Sequence, residues 1–171
     1  GRAKRTLGTM YSLVFGSKTT ALNAARMMHT IHHRVHGVVP ENIDSTWVGQ
    51  PFRANDNRLK DWVGLTTFDS FLVFFEALVR PLTEEEKIQF TDEAKTIALL
   101  CGLPPKNHRT YFEEFACSRD EMFRSGELFI GNVATGIVDD LFDFVPLNFD
   151  EKITLGFLPP QAREMYDIEW T

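Results

Sequence analysis

Apolar residues in this chain recur at helical spacing, and nearly every run that does so carries its own start and stop signals. Ser17 to Thr20 leads into Ala21–His36, a segment rich in helix formers that Gly37 brings to a halt. Residues 38–56 hold Pro40, Gly49 and Pro51 and read as a loop. A second helix is expected from about Asp56 to Val79, with Leu59, Trp62, Val63, Phe71, Phe74, Phe75 and Leu78 along it and Pro81 ending it. Thr83-Glu-Glu-Glu86 spells a capping box for a helix that carries Ile88, Phe90, Ala94 and Ile97 and stops at Gly102, Pro104 and Pro105. Thr110-Tyr-Phe-Glu113 is a second such box, opening a helix through about Arg124. Residues 127–145 read as helical with an ambiguous phase, and Pro159 and Pro160 suit the first turn of a short helix from Gln161 to Tyr166. No Asn-Gly hairpin, period-two strand or internal repeat interrupts this pattern. The expected fold class is all-α, one domain of roughly six to eight helices over residues 1–171.

Charge and composition remove several functions. The 171 residues hold 18 basic and 24 acidic side chains, a net charge of −6, which argues against a phosphate-neutralising nucleic-acid binder. Two cysteines, Cys101 and Cys117, are too few for a disulfide framework, and they do not fix the compartment. The longest apolar run, Phe68–Val79, is broken by Asp69 and Glu76 and falls short of the ~18–20 residues of a membrane span. No secretory h-region is present in this stretch, which opens Gly-Arg-Ala-Lys-Arg-Thr without an initiator Met. Fifteen of the aromatic residues are Phe, favouring a greasy core or an apolar pocket over a polar recognition surface. Phe68, Phe71, Phe74 and Phe75 fit plain core first and an apolar channel second. Glu76 reads as an exposed face, or else as a pocket carboxylate.

Four of the five histidines, His29, His32, His33 and His36, fall within eight residues. On a continuous helix His29, His32 and His36 share one stripe, with His33 beside them. One reading is a solvated polar face, with Arg26 and Arg34 nearby. The other is one axial ligand to a bound metal or haem, since neutral imidazole is a good iron or zinc ligand and a helix fixes its direction. A zinc site of the HExxH type is excluded because no Glu follows the first His of any pair. A closed Cys/His zinc site lacks paired cysteines. Asp139, Asp140 and Asp143 lack EF-hand spacing and read as a solvated helix face.

Arg2, Lys4, Arg5 and Thr6 precede the apolar run Met10–Phe15. They form either a frayed basic terminus or a carboxylate-holding face, because Arg2, Arg5 and Thr6 lie at spacings of three and four. Arginine grips carboxylates in a bidentate fork, and two haem propionates are natural partners.

Arg2-x-x-Arg5-Thr6, Phe15-Gly16 and His32-x-x-Val35-x-Gly37 occur in order, followed by Ala54-Asn-Asp56 and Trp62-Val63. Arg80-Pro-Leu-Thr83-x-x-Glu86, Gly102-Leu-Pro-Pro105 and Phe157-Leu-Pro-Pro-x-x-Arg163 continue the series. Together they resemble the catalytic domain of the ER-bound oxygenase and rubber oxygenase (latex-clearing protein, MpaB-type) family along essentially the whole chain. The resemblance implies an all-helical protein that binds haem b (iron) non-covalently and cleaves carbon–carbon double bonds of polyprenyl chains with dioxygen. By the same resemblance His32 is the expected iron ligand, with His36, one helical turn on, the second choice. Arg2 and Thr6 match pocket residues, and Arg5 stands where Arg or Lys lies beside the haem.

Two departures accompany it. Gly64 follows Trp62-Val63 where many members have His. The family's helices before the Arg-x-x-Arg-Thr motif are expected to be missing from this stretch. In rubber oxygenases those helices look like the source of the acid/base glutamate, so no catalytic residue is assigned. The competing class is a non-catalytic relative serving as a structural subunit of a larger assembly, with or without haem. A third, a non-haem metal hydrolase on the His stripe, lacks placeable carboxylate ligands. Contact with a membrane surface would suit a lipid-handling enzyme, although no anchor is encoded here.

Overall fold

Helix boundaries follow from where free backbone N–H and C=O groups find partners. In a computed structural model, which describes residues 2–40, 47–105, 113–131, 134–138 and 156–167, α1 spans Arg2–Phe15 and α2 spans Lys18–Arg34. The Ser17 side chain caps α2 by accepting from the Thr20 N–H. After α2 the short strands β1 (His36–Val38) and β2 (Pro51–Arg53) pair antiparallel, with Gly37 opposite Phe52. Helix α3 (Asn57–Leu78) starts at Asp56, whose carboxylate accepts from the Arg58 N–H at 2.8 Å. Helix α4 (Glu84–Leu100) opens with the expected reciprocal box between Thr83 and Glu86. Helices α5 (Glu113–Arg124) and α6 (Pro160–Met165) follow.

Two expectations are corrected. Helix α2 ends at Arg34 rather than His36, and the stretch expected to be a loop contains β2. The reason is a competing ladder: Ala54 donates to the Val35 carbonyl and Val39 to that of Gln50, each at 2.9 Å. Gly37 then does not stop a helix. It makes room for a ring, since a Cβ there would stand 3.1 Å from the Phe52 ring. The helical expectation for 127–145 holds at 134–138, whereas 127–131 is not helical. Residues 139–145 with their aspartates, and Thr110 of the second capping box, lie outside the described residues.

The core has two parts. Leu65, Phe68 and Leu72 recur at helical spacing on α3 and pack with Ala94 of α4 and Phe115 of α5. Phe68 meets Phe90 edge-on at 6.1 Å. A part-buried ion pair, Arg119 to Asp69 at 2.7 Å, adds a polar tie between α5 and α3. The second part joins Leu13 of α1 to Ala24 and Ala25 of α2, with Met10, Leu100 and Cys101 against it. Small alanines let α1 and α2 approach closely. Glu76 is neither a pocket carboxylate nor a free surface group: its Oε1 accepts from the Leu82 N–H at 3.1 Å and holds the α3–α4 turn.

Candidate functional site

The end of α4 is where three helices converge. Gly102 has φ +76°, and its N–H bonds the Leu99 carbonyl while that of Leu103 bonds Ala98, both at 2.9 Å. This is a Schellman closure, which requires the left-handed conformation that glycine adopts freely. The Leu100 carbonyl, left free by the helix end, is 3.0 Å from His29 Nε2 of α2. That contact makes Nε2 the protonated nitrogen of His29. The Gly102 carbonyl in turn accepts from Lys60 Nζ of α3 at 2.5 Å.

Above this junction lies a cavity of about 450 Å³, within the ~300–1,000 Å³ typical of small-molecule sites. Its wall is mostly apolar. Met10 comes from α1, Met28 and His32 from α2, Phe52 from β2, and Ile97, Ala98 and Cys101 from α4 and its end. Helix α3 contributes Leu59, Lys60, Trp62, Val63, Gly64, Thr67 and Phe68. Three positions singled out in sequence, Trp62, Val63 and Gly64, thus come together with His32. Lys60 and Cys101 had no signal pointing to them, because they meet His32 only when α3 and α4 pack on α2.

The histidine cluster divides. His32 is half-buried on the cavity wall, whereas His33 and His36 are exposed. His36 lies in β1 opposite Arg53, so it does not continue the helical stripe and does not line the cavity. Burial lowers the pKa of His32, and the neighbouring His29 and Lys60 charges push the same way. All three effects favour the neutral imidazole, the form that carries a free lone pair. Burial raises the pKa of the Cys101 thiol, against the opposing pull of Lys60.

Arg5 and Thr6 are exposed on α1 and are not part of the cavity wall. Thr6 precedes Met10 by one turn on the same face of the helix. The side chain of Arg2 lies outside the described residues.

The donor set can be tested against haem. Among the described residues no three His, Cys, Asp or Glu side chains converge as an ion site. One neutral imidazole on an apolar wall suits a metal whose remaining ligands come from a macrocycle. It does not suit a free divalent ion, which takes several protein ligands. Gly64 adds space: a Cβ there would meet only the Phe68 ring, at 4.0 Å. The residues present fit haem.

Among the described residues no helix is long and apolar enough to cross a membrane. No curated protein and no solved structure is matched by the chain. The family model for "ER-bound oxygenase mpaB/B'/Rubber oxygenase, catalytic domain" does match, over residues 1–171. With its motif residues Trp62 and Val63 on the same cavity wall as His32, this all-α chain belongs to that oxygenase catalytic-domain family.

Proposed function

We propose that the protein is a haem b-dependent oxygenase that acts on polyprenyl-type apolar chains by oxidative cleavage of a carbon–carbon double bond, with His32 as the residue that would hold the haem iron. The observation that carries this reading is the His32 imidazole, its charged form disfavoured by burial, on the wall of an apolar cavity of about 450 Å³. Bound haem supplies the one-electron and dioxygen chemistry that no side chain here can perform. The chain's own residues do the rest. His32 offers a lone pair from α2, whose position His29 secures through the Leu100 carbonyl. Met10, Met28, Phe52 and Trp62 exclude water and present surface to a substrate that has no charge to grip. Such a substrate gains about 25 cal/mol for each Å² of apolar area it buries. Thr6 stands one turn before Met10 on α1 with Arg5 beside it, and these two together with Arg2 would serve the propionate end of a bound haem.

One observation favours the competing reading of a non-catalytic relative within a larger assembly. Gly64 lines the cavity at the position where many members have His, so that imidazole is lost from inside the site. Reconstitution with haemin separates the two. A Soret band in wild type and in His36→Ala, abolished in His32→Ala, is expected. Full haem in His32→Ala would overturn the ligand assignment, and failure of wild type to take up haem would favour the structural role.

A further inference from the structure

Among the residues lining the cavity, Lys60 alone carries a fixed charge. Its Nζ is part-buried and donates to the Gly102 carbonyl at 2.5 Å. An ammonium has three donors. The carbonyl takes one, and no carboxylate among the described residues pairs with it. Its charge is felt on both sides of the cavity, opposing proton uptake by His32 and favouring ionisation of Cys101. Position 64, one helical turn further along α3, has no side chain, and a Cβ there would meet only the Phe68 ring at 4.0 Å, so the cavity is open at that point. The remaining donors of this part-buried ammonium are open to an acceptor that a ligand brings into the apolar chamber.

We infer that Lys60 is an anion-binding residue of this cavity, where it holds a carboxylate borne by the ligand while the ligand's apolar body lies against Trp62, Val63 and Phe68. The inference rests on the reading of the cavity as the ligand site. A carboxylate can come from two sources, a propionate of the cofactor or an acid group at the end of an amphiphilic substrate. The chemistry Lys60 recognises is the same in both.

The test uses the full chain and calorimetric titration with dodecanoate and with dodecanol at pH 8, below micelle formation. Wild type should prefer the acid over the alcohol, and Lys60→Met should reduce that preference about tenfold, the effect of one charge-assisted hydrogen bond. Lys60→Arg should retain it. Lys60→Gln, which keeps a donor for the Gly102 carbonyl, should lose it and guards against a folding defect in the Met variant. Haemin and its dimethyl ester, titrated into the same variants, identify the source. A preference for haemin that disappears with Lys60 places a propionate there; a change confined to dodecanoate places the substrate's acid there. If Lys60→Met alters neither preference, Lys60 binds no anion and the cavity reading stands without it. If wild type binds neither dodecanoate nor dodecanol nor haemin, the cavity reading fails and the inference with it.

Discussion

Replacing Gly102 with alanine tests the geometry of the junction under the site. Two separate penalties follow from the structure. A non-glycine residue at φ +76° pays for the left-handed conformation, roughly 1–2 kcal/mol. The new Cβ would also collide with the His29 ring, lying 3.2 Å from its Nε2. To relieve that collision the ring must leave the Leu100 carbonyl, forfeiting a hydrogen bond of about 0.5–1.5 kcal/mol. Gly102→Ala is therefore expected to lose about 2–3 kcal/mol in urea denaturation, and its Tm should fall by about 4–12 °C for a domain of this length. The two penalties separate in a double-mutant cycle with His29→Ala. With the imidazole removed the collision is gone, and only the conformational penalty of roughly 1–2 kcal/mol should persist. An equal loss in both backgrounds would refute the ring contact. A neutral Gly102→Ala would refute the left-handed closure itself. Because His29 ties α2 to the end of α4, the single variant should also weaken the haem uptake proposed for His32.

Other perturbations test other levels of the structure. Leu65 is 2% exposed at the centre of the larger core, so Leu65→Ala should cost about 2–5 kcal/mol in urea, and a loss well below that would mean the core is centred elsewhere. Thr83→Ala removes one half of the α4 capping box and should cost about 1 kcal/mol, with Thr83→Ser retaining most of it. The other half is electrostatic: hydrogen bonds from Arg80 and the Thr83 N–H hold the Glu86 carboxyl down at about 2. Its stabilising effect is present above the ordinary carboxylate range and is lost as pH falls toward about 2. For His32 the depressed pKa means that the unfolded chain binds a proton more readily than the folded one. Stability should decline as pH falls through about 6.5, and His32→Gln should flatten that limb; an unchanged slope would show that His32 titrates alike in both states.

The helices were legible because their ends are written in nearby residues. Asp56, Thr83 and Pro159 each mark a start within a few positions, and Gly102 marks a stop. The strand pair was not legible. Val35 and Ala54 are far apart in sequence, three-residue strands carry no periodicity, and the ladder between them overrode a helix that local composition would have extended to His36. Lys60 and Cys101 were silent for a related reason. A lysine early in a helix reads as solvated, and a lone cysteine reads as filler, until packing places them on one wall.

Local order alone therefore sufficed for the all-α class, most helix limits and the clustering of four histidines around the end of α2. Which histidine faces the cavity was settled by packing. His29 is drawn to the open carbonyl at the end of α4, His36 is drawn into β1, and His32 is left on the apolar wall. A capping bond closes within one turn of chain, so neighbouring residues specify it. A cavity wall is assembled from α1, α2, β2, α3 and α4 at once, and its chemistry exists only when long-range burial has brought them together.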